Sequence, residues 1–318
     1  MGQGREPGAS APKGSRGPRG LRLWWVDVFA TRAPVSGNRL MVFVPASEVI
    51  EDEGRMQRIA REVGFSEVAF LVPARSRGEY RARFFTPERE LPYAGHPTLG
   101  SAAVWSQETL PMADRNRVVQ HTSGVQVDVT VLRDGDDTIV EVVAPDVARD
   151  RDAEADLDAK QLSQALGVPE SALAGGEGGP ALRVRTPVAQ AFVRVSHPVL
   201  EEMRPDPAAL RRIGEEHGVN LIYAYALPET SDQPILARGF VCDLGFVEDP
   251  ATGSAAGSLG HLLVERGWLE EGRTCTVLQG APTGRESELW ITRSGDAVRV
   301  AGRVRFVLRG LMLPEFLA

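Results

Sequence analysis

Residues 96–103 are His-Pro-Thr-Leu-Gly-Ser-Ala-Ala and residues 249–256 are Asp-Pro-Ala-Thr-Gly-Ser-Ala-Ala, so five of eight positions are identical. The two segments lie 153 residues apart (249 − 96 = 153), about half of the 318-residue chain. Self-similarity at that distance predicts two related halves. A proline followed by small residues is typical of a helix start that another backbone approaches closely.

A helix start presents unpaired N–H groups and the positive end of the helix dipole. Two such starts facing one cleft would bind an anion, most simply a carboxylate. His96 and Asp249 occupy equivalent places in the two segments, and together they would donate and accept hydrogen bonds to a polar substrate. The sequence leaves an alternative open, in which both residues are ordinary N-caps and the small residues only pack.

Outward from these segments, short apolar runs separated by turn residues predict many strands. Helices are predicted at about 97–105 and 252–266. Many strands and few helices indicate an α+β protein with curved, barrel-like sheets around central helices, not a doubly wound parallel sheet. We expect a disordered tail at 1–21, an N-terminal half at 22–140 joined by a strand at about 305–318, and a C-terminal half at 141–304.

Glu67 interrupts the apolar run Gly64-Phe65-Ser66-Glu67-Val68-Ala69-Phe70. Desolvation by these neighbours would raise the pKa of the carboxyl and suit it to carrying a proton near neutral pH. The alternative is an exposed glutamate on an alternating strand.

The turn at residues 279–287 offers backbone donors at Gly280 and a guanidinium at Arg285. Both groups are candidates for substrate binding. An ordinary surface turn is the alternative for this segment.

Composition excludes several classes of protein. The chain has 36 basic and 43 acidic residues, a net charge of −7, which argues against nucleic-acid binding. It has no apolar run long enough to span a membrane, and its first 20 residues lack the apolar run of a signal peptide, so we expect a cytoplasmic protein. Its two cysteines and five scattered histidines predict neither a disulfide framework nor a metal site. Glycine-rich nucleotide-binding motifs are absent.

Several strings together resemble the PhzF family, the phenazine-biosynthesis isomerases with a diaminopimelate epimerase-like fold. They are Val26-Asp27-Val28-Phe29, Ser36-Gly37-Asn38, Phe65–Phe70, Phe84-Phe85-Thr86-Pro87, Glu90–Gly100, Glu248–Ala255, Gln279-Gly280 and Gly284-Arg285. The resemblance implies two barrel-like halves with the active site in the cleft between them. It also implies a homodimer, and an enzyme that uses no metal, PLP or nucleotide.

In the family's phenazine enzyme, the glutamate matching Glu67 shuttles a proton during isomerisation of trans-2,3-dihydro-3-hydroxyanthranilate. The resemblance implies that residues matching His96, Asp249, Gly95 and Ser254 hold the substrate, and we add Gly253 and Asn38 to that set. The chain departs from the family in having Val68-Ala69 where two threonines are usual. We expect this change to make the wall beside the carboxylate more apolar.

These observations lead to one hypothesis and two rivals. The hypothesis is a cofactor-independent isomerase that moves a proton between carbons of a small carboxylated substrate, with Glu67, His96 and Asp249 as its catalytic residues. The first rival is an amino-acid epimerase that uses Glu67 and Asp249 as opposed bases. The second is a non-catalytic ligand-binding or interaction protein that kept the fold.

Overall fold

The structure, a computed structural model, describes residues 21–45, 52–123, 125–145, 148–149, 157–173, 180–185, 188–230, 232–243 and 245–313. Within these residues the strands are β1 Leu21–Val28, β2 Asn38–Pro45, β3 Glu67–Pro73, β4 Glu79–Phe85, β5 Glu90–Leu91, β6 Arg115–His121, β7 Gln126–Asp134, β8 Asp137–Val143, β9 Ala148–Arg149, β10 Leu182–Arg185, β11 Ala189–Arg194, β12 Leu221–Ala226, β13 Ile235–Val241, β14 Glu248–Asp249, β15 Thr274–Gln279, β16 Ser287–Ser294 and β17 Ala297–Met312. The helices are α1 Glu53–Val63, α2 Gly95–Thr109, α3 Ala159–Leu166, α4 His197–Glu202, α5 Pro207–His217 and α6 Gly253–Glu265.

The N-terminal half is a closed barrel. Strand pairing runs β1-β2-β3-β4-β6-β7-β8-β17 and returns to β1, with β2–β3 and β4–β6 parallel and the other pairs antiparallel. Helix α2 lies inside this barrel and packs against β1, β2, β3, β6, β7 and β8. The helix is buried from His96 to Ser106 because its residues are small or apolar on every face, as expected of a helix enclosed by a sheet.

The C-terminal half repeats this arrangement around α6. Strand β11 runs parallel to β12, β12 antiparallel to β13, and β13 parallel to β15, which matches the order β2, β3, β4, β6. Strand β17 belongs to both halves, since it pairs with β8 along one edge and, along the other edge, first with β16 and then with β1. The predicted α+β fold of two barrel-like sheets around central helices is therefore confirmed.

The remaining helices cover the outer faces of the sheets. Helix α1 packs its Met56, Ile59 and Ala60 against outward-facing residues of β2, β3 and β4. Helices α3, α4 and α5 cover the outer faces of β11, β12 and β13 with a second apolar cluster. These regions of the two sheets are thus buried on both faces.

Three predicted boundaries do not coincide with the ends of strands. Leu21, assigned to the tail from sequence, is the first residue of β1 and is buried, while the rest of the predicted tail lies outside the described residues. The predicted division between residues 140 and 141 falls inside β8, which continues to Val143. Strand β17 likewise begins at Ala297, before the predicted joining strand at 305.

The repeat is real, but the predicted register of its helix starts is wrong. Helices α2 and α6 begin at Gly95 and Gly253, 158 residues apart (253 − 95 = 158), and not 153. Pro97 is the third residue of α2, and Pro250 precedes α6 altogether. The Gly-Ser-Ala-Ala strings match in composition and occupy different turns of their helices.

Candidate active site

A cavity of about 330 Å³ lies between the two halves. Helix starts and short strands from both halves line it. Its floor carries three buried side chains, Glu67, His96 and Asp249. The other lining residues are Arg89, Glu90, Leu91, Pro92, Tyr93, Ala94, Gly95, Val188, Asn220, Leu221, Val241, Asp243, Phe246, Ala251, Thr252, Gly253 and Ser254.

Asn38 connects the floor residues. Its Nδ2 donates to Asp249 Oδ1 at 2.7 Å and to the carbonyl oxygen of Ala251 at 3.1 Å, and it lies 3.2 Å from His96 Nδ1. Asp249 Oδ2 accepts from the hydroxyl of Thr252 at 2.7 Å. Both oxygens of Asp249 are thus occupied by donors, which fixes the carboxylate in place.

Glu67 is held more loosely. Its Oε2 lies 3.6 Å from His96 Nε2, beyond hydrogen-bond range. Both of these atoms are buried and have no hydrogen-bond partner among the described residues. An unpartnered carboxylate oxygen opposite an unpartnered ring nitrogen is suited to receive a polar group of a ligand.

Burial sets the protonation of this cluster. It raises the pKa of Glu67 from 4.5 to about 7, against the opposing effect of the Ser66 hydroxyl. Burial and the neighbouring charge of Glu67 raise the pKa of Asp249 from 3.8 to about 7. Burial lowers the pKa of His96 to about 4, despite the attraction of Asp249, so the imidazole is neutral at pH 7. A proton is therefore easily gained or lost by the carboxyls near neutral pH.

The starts of α2 and α6 meet at the cavity. A Cβ added to Gly95 would lie 2.8 Å from the backbone nitrogen of Ser254, so only glycine permits this approach. The N-cap residues are Ala94 and Thr252, and neither side chain caps its helix. His96 and Asp249 are therefore not N-caps, and the first-turn N–H groups remain available to an anion.

A two-residue strand leads into each helix. On the N-terminal side, Arg83 donates to both oxygens of Glu90 in β5, at 2.7 and 2.5 Å. On the C-terminal side, Arg238 donates to both oxygens of Glu248 in β14, at 2.9 and 2.7 Å. These paired arginines fix the strands that deliver the helix starts to the cavity.

The rim of the cavity is polar and its walls are apolar. Arg89 of the N-terminal half pairs with Asp243 of the C-terminal half at 2.5 Å, and Asn220 donates to the same Asp243 oxygen at 2.8 Å. Leu221, Val241 and other apolar residues form the walls. The cavity therefore suits a small, partly apolar molecule with polar groups directed at the floor.

Gly280 and Arg285 do not line the cavity. Arg285 pairs with Asp27 at 2.7 Å and donates to the carbonyl oxygens of Gly37 and Ser36. Gly280 has φ +85°, and a Cβ there would lie 2.4 Å from the Pro250 carbonyl oxygen. Both residues hold the backbone beside Asn38 and Asp249, so they support the floor from behind.

Val68 and Ala69 also lie away from the cavity. Both are fully buried, Val68 under α1 and Ala69 in the barrel interior. The expectation that they make the wall beside Glu67 more apolar is therefore wrong, because β3 directs them into the two cores.

Gln279 was missed by reasoning from sequence. Its Nε2 donates to the Asp249 carbonyl oxygen at 2.8 Å and to Thr252 Oγ1 at 3.0 Å, while its Oε1 accepts from Tyr223 at 3.0 Å. The sequence feature that could have identified Gln279 is its place in Gln279-Gly280, one of the strings that resemble the PhzF family.

The described residues contain no cluster of three or more His, Cys, Asp or Glu side chains placed to hold a metal ion. No helix among them is both long enough and apolar enough to cross a membrane.

The family model for phenazine biosynthesis-like proteins, PhzC-PhzF, matches residues 26–310. The chain belongs to the PhzF family. A trans-2,3-dihydro-3-hydroxyanthranilate isomerase from Pseudomonas fluorescens is 31% identical over 277 residues, covering 86% of this chain and 90% of the relative. An uncharacterized isomerase from Salmonella typhimurium is 29% identical, covering 85% and 89%.

Solved structures have the same fold. A predicted epimerase from Pseudomonas aeruginosa superposes with a TM-score of 0.77 at 31% identity, covering 92% of this chain and 99% of that one. A hydroxyproline epimerase from Agrobacterium vitis has a TM-score of 0.60 at 15% identity, covering 92% and 91%, a likeness of fold alone.

Proposed function

We propose that this PhzF-family chain is an isomerase that moves a proton between two carbons of a small carboxylated substrate, without a metal or organic cofactor. The observation that carries the proposal is Glu67: a buried carboxyl in the cavity floor, with an unpartnered oxygen and a pKa raised to about 7. Such a group takes a proton from carbon as a base and returns it as the conjugate acid.

The substrate carboxylate would lie at the meeting helix starts. The uncapped N–H groups near Gly95, Gly253 and Ser254 are preorganised donors, and they stabilise negative charge that develops as the proton leaves carbon. Neutral His96 and the fixed carboxylate of Asp249 would hold the remaining polar groups. One positioned acid–base group contributes about 10²–10⁴-fold, so these donors must supply the rest of the rate enhancement.

The repeat favours this reaction over epimerisation with two opposed bases. Glu67 pairs with Leu40 of β2, and the equivalent residue Leu221 pairs with Gln190 of β11. The second half therefore offers an apolar residue where a symmetric second base would stand. Asp249 has a raised pKa, but both of its oxygens already accept hydrogen bonds.

The first experiment supplies trans-2,3-dihydro-3-hydroxyanthranilate, the compound named for the Pseudomonas fluorescens relative, in D₂O. Product and deuterium incorporation are followed by NMR and mass spectrometry for the wild type and for Glu67→Gln. We expect conversion by the wild type and a loss of at least about 100-fold in the variant. The matched control is Glu141→Gln, whose carboxylate pairs with Arg299 on the barrel and does not line the cavity.

Full activity of Glu67→Gln would refute the mechanism. Interconversion of amino-acid stereoisomers would favour the epimerase instead. Binding of the compound without conversion or exchange would favour the non-catalytic alternative.

We also propose a homodimer, on the resemblance to the family, and the cytoplasmic location expected from the sequence. Analytical ultracentrifugation tests the first, and fractionation of the source cells tests the second. A monomer at micromolar concentration, or recovery outside the cytoplasm, would contradict these proposals.

A further inference from the structure

Gln190 is a buried amide beside the start of α6. It lies on β11, is 1% exposed, and donates from Nε2 to the hydroxyl oxygen of Ser254 at 3.1 Å. Its Oε1 is buried and has no partner among the described residues. A buried carbonyl without a donor destabilises the fold, so packing does not explain why an amide stands here.

The other half shows that packing needs no amide at this place. Gln190 pairs with Leu221 in the parallel β11–β12 ladder as Leu40 pairs with Glu67 in β2–β3. Leu40 is completely buried against α2. A leucine therefore fills the equivalent position in the same architecture and leaves no polar atom unsatisfied.

The amide does determine where the hydroxyl of Ser254 points. Ser254 lies in the first turn of α6 and lines the cavity, and its oxygen accepts the hydrogen bond from Gln190. No acceptor among the described residues receives the hydroxyl hydrogen of Ser254. Because one lone pair is occupied by the amide, the hydrogen is directed away from Gln190 and is free to be donated to a ligand in the cavity that Ser254 lines.

We propose that Gln190 is a positioning residue that presets Ser254 as a hydrogen-bond donor to the substrate carboxylate. This inference rests on the proposed function, since it needs an anionic group at the start of α6. Gln190 itself does not line the cavity and acts only through Ser254.

The test measures binding of 3-hydroxyanthranilate, a stable aromatic analogue of the named dihydro compound, by calorimetry. Gln190→Leu is expected to bind it about tenfold more weakly, since a hydrogen bond to a charged group is lost or misdirected. Ser254→Ala is expected to lose at least as much affinity, and the double variant no more than Ser254→Ala alone. Gln190→Met, a second variant of similar length, should match Gln190→Leu.

Thermal unfolding separates positioning from structural support. We expect Gln190→Leu to have an unchanged or higher Tm, because the orphaned carbonyl is removed. The control is Gln120→Leu, since Gln120 Oε1 accepts from Tyr80 at 2.8 Å and its Nε2 donates to Thr98 at 2.9 Å. That satisfied amide lies away from the cavity, so its loss should lower the Tm and leave binding unchanged.

The inference is overturned if Gln190→Leu binds the analogue like the wild type, or if the losses from Gln190→Leu and Ser254→Ala add fully. A lower Tm with a proportional loss of binding would assign Gln190 a structural role. Failure of the wild type to bind the carboxylate also overturns the inference. If the single and double variants bind the analogue as expected but the wild type shows no proton exchange, the inference about Gln190 holds and only the proposed isomerase activity is refuted.

Discussion

Replacing Glu67 by glutamine should increase the stability of the variant, relative to that of the wild type, as the pH rises. The carboxyl is buried, and its pKa is raised from 4.5 to about 7 because burial disfavours its charge. Between these values the folded protein keeps a proton that the unfolded chain releases. The wild type therefore loses stability across this range, and the variant does not.

The size of the effect follows from the two pKa values. A change from 4.5 to about 7 corresponds to about 3 kcal/mol, at about 1.4 kcal/mol for each pKa unit. Below pH 4.5 the carboxyl is protonated in both states and contributes no difference; above pH 7 the full difference applies. Removing the Glu67 charge also lowers the pKa of Asp249, which acts in the same direction. His96 has the opposite pH dependence but is present in both proteins.

Urea unfolding of both proteins at several pH values between 4.5 and 8 measures this difference. The free energy of unfolding of Glu67→Gln, minus that of the wild type, should increase by about 3 kcal/mol across the range. Glu141→Gln is the control, because its carboxylate already pairs with Arg299 and should show no such gain. A constant or falling difference for Glu67→Gln would refute the assignment of a desolvated carboxyl to the cavity floor.

Two further predictions concern the scaffold. Gly95→Ala places a Cβ 2.8 Å from the backbone nitrogen of Ser254, so we expect a loss of about 1–3 kcal/mol in urea unfolding; wild-type stability would show that the helix starts do not meet. Arg238→Met leaves the largely buried carboxylate of Glu248, whose side chain is 11% exposed, without its ion-pair partner, and it should cost about 3–5 kcal/mol. Arg83→Met, at a more exposed pair, should cost about 1 kcal/mol. Equal losses from the two arginine variants would contradict this difference in burial.

Local sequence determined the fold class and the core of the site. Glu67, His96 and Asp249 each lie in a short string whose apolar or small neighbours predict burial, and the structure brings all three into one cavity. The family assignment from these strings is confirmed by the match over residues 26–310.

The parts that sequence did not predict depend on contacts between distant segments. The predicted register of the repeat is wrong because the small-residue strings at 100–103 and 253–256 are alike in composition but lie at different distances from their helix starts, Gly95 and Gly253. Gln190 binds Ser254, which lies 64 residues further along the chain, and no periodic pattern in the sequence connects the two residues. Arg285 has a guanidinium suited to a carboxylate, yet Asp27 and two loop carbonyls already occupy it.

The N-terminal barrel is closed by β17, the last strand of the chain to be synthesised. Strand β1, Leu21–Val28, is synthesised early. Its partner on one edge, Val304–Met312 of β17, is synthesised only when almost the whole chain has been made. At roughly 5–20 residues per second, the nascent first strand waits on the order of tens of seconds with one edge open. During that time the first barrel is an open sheet whose two edge strands, β1 and β8, are available for pairing with other chains. We therefore expect the open edges of a ribosome-bound N-terminal half to need protection from other chains until β17 is synthesised.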